Sequence, residues 1–212
     1  MAKRPGRPWN LRQEAGQLSW TLRAYGGPRR MILQYRINRS LSPLKLPKKP
    51  VVPGSAWGVT FVRNEEDLIR GVLQHHLDQG LAGIIVADNG STDGTWNILT
   101  EVAEANDRVH ICRDTWPRFD QSEKVSRLAY LAWRAGADWI VPFDGDEFWF
   151  ANGVSLAEHL TTVRREDPDT TLFFADWHTM LPLSDDLMGG DWIVDSSPLP
   201  PGKVAVRTHP LL

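Results

Sequence analysis

Short β-rich runs alternate with longer helical segments through the middle of this 212-residue chain. The runs lie at residues 57–62, 84–87, 109–112 and 139–143, and each leads into polar residues. After the first three, apolar side chains recur at helical spacing over about ten to fifteen residues. This order predicts an α/β protein, with a mostly parallel sheet and helices on both faces. Ligands of such sheets bind at the carboxyl ends of the strands, so we expect the functional residues there.

The fourth run leads directly into a group of acidic residues. Asp144, Asp146 and Glu147 follow it, with Gly145 between the two aspartates. Carboxylates crowded at a strand end repel one another unless a cation or hydrogen-bond donors neutralise them. Oxygen ligands suit Mg²⁺ or Mn²⁺, so the pattern indicates a metal site. A solvated acidic turn after a buried strand is the alternative, and other motifs have to decide between the two.

Charge is distributed unequally along the chain. Residues 1–50 contain 12 of the 24 Lys and Arg residues but only one acidic residue, whereas the remainder is strongly acidic. The boundary falls in a proline-rich run at residues 43–53. We therefore predict a basic, largely irregular N-terminal arm over residues 1–53 and one folded domain over residues 54–212.

One part of the arm has a helical pattern. Residues 29–39 mix basic with large apolar side chains after Pro28, a residue suited to a helix start. A basic amphipathic helix can lie on an anionic membrane, where each Lys or Arg contributes about 1 kcal/mol. A disordered basic tail is the alternative. Nucleic acid is not an expected partner, because no recognised nucleic-acid-binding module accompanies the charge.

The cysteine content and the hydropathy bear on location. Cys112 is the single cysteine, which excludes an intramolecular disulfide and favours a reducing compartment. No signal peptide pattern is visible, and no apolar stretch approaches the length of a membrane span. We therefore expect a cytoplasmic protein, either free or held peripherally at the inner face of the cell membrane by residues 1–50.

Three motifs occur in order, each at the end of a predicted strand. They are Val-Arg-Asn-Glu at residues 62–65, Val-Ala-Asp-Asn-Gly-Ser-Thr-Asp-Gly-Thr at 86–95, and Asp-Trp-Ile-Val-Pro-Phe-Asp-Gly-Asp-Glu-Phe at 138–148. Together they resemble the glycosyltransferases of family 2, in the branch with Arg-Asn-Glu and Asp-x-Asp-Glu-Phe motifs. The resemblance covers about residues 55–180. It implies the GT-A fold, the Rossmann-like fold of nucleotide-diphospho-sugar transferases, for the predicted domain.

The resemblance also implies a reaction. A sugar would move from a nucleotide-diphosphate sugar, UDP- or GDP-linked, to a carbohydrate or lipid-linked acceptor of the cell envelope or a polysaccharide, usually with inversion. Mn²⁺ or Mg²⁺ would act as a Lewis acid on the departing diphosphate. The anomeric carbon becomes oxocarbenium-like, and a carboxylate must take the proton of the acceptor hydroxyl.

Site residues follow from the resemblance position by position. Asp88 matches the acidic position that holds the base or ribose, and Asn89 stands where a second aspartate is common. Asp146 matches the direct metal ligand, while Asp144 would contact the ribose or bind the metal through water. The residues expected near the donor nucleotide are Thr60, Arg63, Glu65, Asp88, Asn89, Lys124 and Asp144.

The catalytic base is expected after the metal motif. Asp176, at the end of a predicted strand at residues 172–177, is the first candidate, and Asp185 or Asp186 is the second. His209 is the one late candidate for the histidine that completes the metal sphere in many relatives. Residues 181–202, rich in proline, glycine and aspartate, predict a loop or lid, and a short final strand is expected at 203–206.

Simpler roles compete with these assignments. Asp88 and Asp93 can merely shape the turn after the second strand, and Lys124 can belong to a solvated helix face. His75 and His76 are expected on a half-buried helix surface rather than as a metal pair, because adjacent helical residues point in different directions.

Two other functions remain open at this stage. The chain can be a truncated, non-catalytic remnant that binds a nucleotide sugar. It can also be a nucleotidyltransferase of the same fold, although Arg63-Asn64-Glu65 does not supply the glycine-rich phosphate loop expected after the first strand.

Overall fold

The computed structural model describes residues 28–41, 44, 46, 48–116, 118, 120–184, 186–187 and 190–208. The predictions for residues 1–27, Asp185 and His209 lie outside these residues. The elements are α1 (Pro28–Ser40), β1 (Ala56–Val62), α2 (Ile69–Asp78), β2 (Gly83–Asp88), α3 (Thr95–Ala105), β3 (Val109–Arg113), α4 (Gln121–Arg134), β4 (Trp139–Pro142), α5 (Leu156–Glu166), β5 (Leu172–Trp177), β6 (Met180–Pro182), β7 (Trp192–Val194) and β8 (Leu199–Arg207).

The main sheet of the described residues has six strands in the order β3-β2-β1-β4-β8-β5. β1 pairs in parallel with β2 and with β4, and β2 pairs in parallel with β3. β8 lies antiparallel between β4 and β5, while β6 and β7 form a separate antiparallel pair. The predicted mostly parallel sheet is confirmed.

The C-terminal part of the sheet differs from the prediction. Residues 203–206 belong to the longer strand β8, which lies inside the sheet rather than forming a short last strand. The predicted loop at residues 181–202 contains β7 and the start of β8. Prolines and Gly202 lower the local strand propensity of this segment, so its sequence predicts a loop. Pairing with distant strands outweighs that propensity.

An apolar layer covers each face of the sheet. β2 is buried along its whole length, as expected for a parallel strand with helices on both sides. Ile84 and Val86 pack in one cluster with α2, α3 and α5. Ile85 and Ala87 point the other way and pack with α1 and α4. The predicted coverage of both faces is therefore confirmed.

Helix α1 is part of the second layer. Ile37 and Leu41 are 1% and 3% exposed and lie in the cluster that includes α4. The Thr115 backbone N–H donates to the Ser40 carbonyl at 3.3 Å. The described part of the basic segment is therefore a helix packed on the domain, and the division of the chain at residue 53 stays a prediction. Within the described residues, no helix combines the length and apolar character needed to cross a bilayer.

Candidate active site at the carboxyl edge of the sheet

The ends of β1, β2 and β4 meet at one edge of the sheet. Val62 at the end of β1 lies beside Asp88 at the end of β2, and β4 runs in the same direction on the other side of β1. A Cβ atom on Gly145 would lie 2.8 Å from Cγ of Glu65. The acidic turn after β4 therefore packs directly on the loop after β1, and this close approach requires glycine.

Hydrogen bonds hold the loops after β1 and β2 together. Asn64 has a φ of 58°, and its Oδ1 accepts from the Thr92 backbone N–H at 2.8 Å. Its own backbone N–H donates to Oγ of Ser91 at 3.0 Å. Asp93 accepts from the Thr95 backbone N–H at 3.0 Å. The structural role considered for Asp93, shaping this turn, is thus present in the structure.

Asp88 is fully buried and engaged by protein donors. Nη1 of Arg113 donates to its Oδ2 at 2.6 Å, and the Ser91 backbone N–H donates to its Oδ1 at 3.2 Å. The Arg113 guanidinium lies 4.0 Å from the centre of the Trp96 ring. The Arg113 side chain is 44% exposed and that of Asp88 is 0% exposed. A ligand can reach the Asp88 carboxylate only if Arg113 moves, so the predicted base or ribose contact stays a prediction.

Asn89 and Lys124 share one buried partner. Nδ2 of Asn89 donates to Oδ2 of Asp114 at 2.6 Å, and the Lys124 ammonium forms an ion pair with the same oxygen. Lys124 also donates to the Trp116 carbonyl at 3.2 Å. The side chains of Lys124 and Asp114 are 2% and 0% exposed. The solvated-face alternative is therefore wrong for Lys124, whose charge is neutralised inside the protein.

Asp144 and Glu147 in the acidic turn share a cation. Nζ of Lys203, from β8, donates to Oδ2 of Asp144 at 3.1 Å and forms an ion pair with Oε1 of Glu147. Burial raises the pKa of Glu147, and its hydrogen bonds to Lys203 and the Asp144 backbone only partly offset this. Burial lowers the pKa of Lys203, but the hydrogen bonds to Glu147 and Asp144 outweigh it and leave a raised pKa.

Asp146 is the exposed carboxylate of the turn. Among the described residues it has no hydrogen-bond or ion-pair partner. Glu65 lies on the same side, and burial followed by the charges of Asp146, Asp93 and Asp144 raises its pKa. The turn and Glu65 thus form an acidic group, and Lys203 partly neutralises it.

The two remaining nucleotide candidates differ in exposure. Thr60 is buried inside β1, at 1% exposed, with its hydroxyl 3.4 Å from the Phe61 carbonyl oxygen. Arg63 is exposed in the loop after β1. Arg63 is accessible to a ligand in this structure, whereas Thr60 is not.

The candidate bases lie in the antiparallel part. Asp176 is exposed near the end of β5, and its neighbours Ala175 and Trp177 both touch β8. Nζ of Lys203 lies 4.8 Å from the Trp177 ring centre, which places the end of β5 next to the acidic turn. Asp186 is exposed in the connection from β6 to β7, and its carbonyl accepts from the Gly190 backbone N–H at 3.0 Å.

A cavity of about 170 Å³ opens beside the acidic turn. Apolar side chains line it together with an amide, two carboxylates and an ammonium. Nε2 of Gln121, at the start of α4, lies 3.4 Å from Oδ1 of Asp144. The lining residues are Phe61, Gln121, Val125, Pro142, Phe143, Asp144, Glu147, Lys203 and Val204.

The two adjacent histidines bind backbone carbonyls. Nε2 of His75 lies 2.8 Å from the Trp149 carbonyl, and Nδ1 of His76 lies 2.8 Å from the Val72 carbonyl. His76 is fully buried and stacks on Phe143 at 4.0 Å between ring centres. His75 is half-buried, as predicted, but the prediction of a half-buried surface is wrong for His76, which lies in the core.

The acidic turn has a donor set that suits a substrate-bridged cation. No group of three or more His, Cys, Asp or Glu side chains within the described residues is arranged to enclose a metal ion. Mg²⁺-type ions do not require such a cage, because they are commonly held by one or two carboxylates together with substrate phosphates. The exposed carboxylate of Asp146, beside Asp144, fits this mode.

Sequence reasoning missed three residues of the site. Arg113 ends β3 and Asp114 follows it at the same edge, so the strand-end rule that selected Asp88 would have selected them too. Lys203 had no comparable signal, because the position of β8 beside β4 depends on pairing between residues far apart in the chain.

The fold and this edge define a GT-A-type domain, a mostly parallel sheet with an acidic turn after its fourth strand. Residues 59–181 match the family model described as Glycosyl transferase family 2, and the chain belongs to that family. This match covers more than half of the chain and confirms the resemblance noted in the sequence.

Two solved structures illustrate the similarity. A mannosyltransferase from Pyrobaculum calidifontis in complex with GDP-Man and Mn²⁺ is 22% identical, with a TM-score of 0.47 over 75% of this chain and 46% of that one. Glucosyl-3-phosphoglycerate synthase from Mycobacterium tuberculosis, with Mn²⁺, UDP and glucosyl-3-phosphoglycerate, is 23% identical, with a TM-score of 0.40 over 56% and 42%. The chain thus spans less than half the length of each. Comparison with curated protein sequences gives no match.

Proposed function

We propose that this protein is a metal-dependent glycosyltransferase that moves a sugar from a UDP- or GDP-linked donor to a cell-envelope or polysaccharide acceptor, with inversion. The observation that carries this proposal is the exposed carboxylate of Asp146, which has no hydrogen-bond or ion-pair partner in the described part of the chain and lies beside Asp144 at the carboxyl edge of a family 2 domain. A carboxylate left without a protein partner at this position is available to a cation that a diphosphate brings with it.

Asp146 and Asp144 would hold Mn²⁺ or Mg²⁺, which supplies Lewis acidity to the departing diphosphate. In the transfer step the bond from the anomeric carbon to the diphosphate oxygen breaks, and its electron pair stays on that oxygen. The acceptor hydroxyl oxygen forms the new bond from the opposite face. Its proton goes to a carboxylate, for which the exposed Asp176 near the end of β5 is the first candidate and Asp186 the second.

Asn89 would contact the donor nucleotide. Its amide nitrogen is committed to Asp114, so its carbonyl oxygen is left as a hydrogen-bond acceptor. A base N–H or a ribose hydroxyl is a suitable donor for it. Arg63 and Glu65 in the loop after β1 would complete this side, next to the acidic turn.

The exposed face of α1 suits contact with a membrane, where a lipid-linked acceptor would be found. Ile32 and Tyr35 on this helix are 53% and 59% exposed, and Arg36 and Arg39 are exposed beside them. We propose peripheral contact of this face with the inner side of the cell membrane. Replacing both arginines with glutamine should then weaken binding to vesicles containing anionic lipid about tenfold or more. Unchanged vesicle binding would remove the membrane role.

A second candidate is a protein that binds a nucleotide sugar without transferring it. The pairing of Lys203 with Asp144 and Glu147 favours this candidate, because it engages two carboxylates of the acidic turn that could otherwise hold the metal needed for transfer. Both candidates bind a nucleotide sugar, but only the first transfers the sugar to an acceptor.

Calorimetric titration with UDP, GDP and their sugar conjugates, with and without Mn²⁺, tests the proposal. We expect Mn²⁺-dependent binding of one nucleotide and slow hydrolysis of its sugar conjugate, as water replaces the acceptor. Binding without hydrolysis, and without transfer to any offered acceptor, supports the second candidate. The absence of binding by a chain with a cooperative thermal transition contradicts both.

A further inference from the structure

We propose that Lys203 binds the diphosphate of the donor, and that in the absence of donor it is the counter-ion of the acidic turn. The inference rests on the proposed function and adds a residue that no sequence motif contains. Lys203 lies on β8, 59 residues beyond Asp144 in the chain.

The hydrogen-bonding capacity of Lys203 is only partly used. An ammonium group has three N–H donors. Within the described residues two carboxylate oxygens accept from it, Oδ2 of Asp144 and Oε1 of Glu147. The third donor is left for a ligand oxygen. Lys203 also lines the cavity beside the turn, so this donor lies where a ligand would bind.

Lys203 is held in place on its other side by an aromatic ring. The ammonium lies 4.8 Å from the centre of the Trp177 ring, within the range of cation–π attraction. Its side chain is 27% exposed, which leaves it accessible while restricting its rotamers. A cation that is fixed before the ligand arrives loses little side-chain entropy on binding.

Of the two cations expected near the nucleotide, Arg63 is exposed, but Lys124 is not available for this task. Lys124 is buried and paired with Asp114, and it donates to the Trp116 carbonyl. Lys203 is instead the ammonium that contacts the acidic turn itself. Position and burial therefore favour Lys203 over Lys124 as the contact for the diphosphate.

Lys203 would act on the leaving group while keeping its own proton. As the bond from the anomeric carbon to the bridging oxygen breaks, negative charge grows on the diphosphate. Lys203 would donate a hydrogen bond to a non-bridging oxygen of the terminal phosphate. The acceptor proton still goes to the acceptor-side carboxylate, so the step balances without a proton from Lys203.

The proposal makes opposite predictions for two ligands. Without donor, the ammonium repels Mn²⁺ and occupies Asp144, so Lys203→Met should bind Mn²⁺ alone about tenfold more tightly. With Mn²⁺ present, Lys203→Met should bind UDP or GDP about tenfold more weakly, because a phosphate contact is lost. Binding of UMP or GMP should be unchanged, since these lack the terminal phosphate.

Calorimetric titration, with electron paramagnetic resonance for free Mn²⁺, measures these affinities. Lys203→Arg should keep diphosphate binding within a few-fold of wild type because it keeps the charge. Lys48→Met is the matched control, an exposed lysine in the segment before β1, and should change neither affinity. If Lys203→Met does not fold by circular dichroism, Lys203→Gln carries the same comparison.

Two results would overturn the assignment. One is unchanged diphosphate affinity in Lys203→Met, and the other is equal weakening of diphosphate and monophosphate binding, which would indicate a merely structural role. A wild-type chain that binds neither UDP nor GDP with Mn²⁺ contradicts the proposed function itself, so the two failures are distinguishable.

Discussion

The parallel strands β1 to β4 and the antiparallel strands β5 to β8 form two halves of the fold that are built differently. β1 and β2 are buried almost throughout, whereas β5 is exposed at every second position. The antiparallel half also exposes large apolar side chains, including Phe174 at 65% and Leu181 at 61%. Both halves contribute residues to the same edge.

The two halves also differ in whether their charged side chains are buried and paired or exposed to solvent. In the parallel half, Asp88, Asp114 and Lys124 are buried and paired before any ligand is present. In the antiparallel half, Asp176 and Lys203 keep contact with solvent. We therefore expect substitutions in the first group to reduce stability and substitutions in the second to reduce function.

The largest expected loss of stability is for Asp114→Ala. This change leaves the Lys124 ammonium buried without a counter-ion and removes the partner of Asn89. Breaking a buried pair from one side typically costs about 3–5 kcal/mol of unfolding free energy. Urea denaturation followed by circular dichroism measures the change.

The double variant Asp114→Leu with Lys124→Met is the control for that prediction. It removes both charges, so it should recover much of the stability lost in the single variant. If Asp114→Ala instead unfolds at the wild-type urea midpoint, the buried pair does not stabilise the protein. The expectation that charged residues of the parallel half act on stability would then be wrong.

Asp176→Asn tests the other half with an effect on turnover. Loss of a general base typically lowers kcat by about 10²- to 10⁴-fold, while an exposed position leaves the melting temperature near that of wild type. Donor turnover and thermal denaturation are measured on the same preparation. Asp186→Asn should retain turnover, and a reversed pattern would assign the base to Asp186.

Asp146→Asn should abolish the metal dependence of nucleotide binding with little effect on folding. The carboxylate has no protein partner among the described residues, so its removal leaves no buried group unpaired. Loss of a direct ligand should weaken Mn²⁺ binding at least about 100-fold. Mutation of a residue that only hydrogen-bonds a ligand already lowers metal affinity by about 10- to 100-fold. The matched control is Asp107→Asn, an exposed aspartate before β3. Equal Mn²⁺ affinity in both variants would show that Asp146 is not a ligand.

The smallest expected effect is a dependence of stability on pH through His76. Burial lowers its pKa from 6.5 to about 3. Between these values the unfolded chain binds a proton that the folded chain does not, so this contribution is complete above about pH 6.5 and is lost as the pH falls. The free energy of unfolding should fall by about 1.4 kcal/mol per pH unit in this range, or by about 2 kcal/mol at pH 5.

His76→Leu isolates this contribution, because the carboxylates that also titrate are the same in both proteins. Urea unfolding at several pH values should show a shallower loss of stability on acidification in the variant. Parallel curves for the two proteins would mean that His76 takes up its proton in the folded state at an ordinary pKa.

Much of the fold was readable from the sequence because its signals are local. Alternation of strand and helix periods predicted the parallel sheet with two covered faces. The rule that ligands bind at strand ends placed Asp88 and Asp144 at one edge, and three motifs in order indicated the family.

Only the tertiary structure decided which charges neutralise one another. The Lys124 ammonium pairs with Asp114, and Arg113 pairs with Asp88, although Asp88, Arg113 and Asp114 all lie at or just after predicted strand ends. Lys203 reaches Asp144 because β8 pairs with β4, and local periodicity carries no information about which distant strands pair. Local sequence patterns determined which acidic and polar residues lie at the carboxyl edge of the sheet. Packing between distant segments determined which of them form ion pairs.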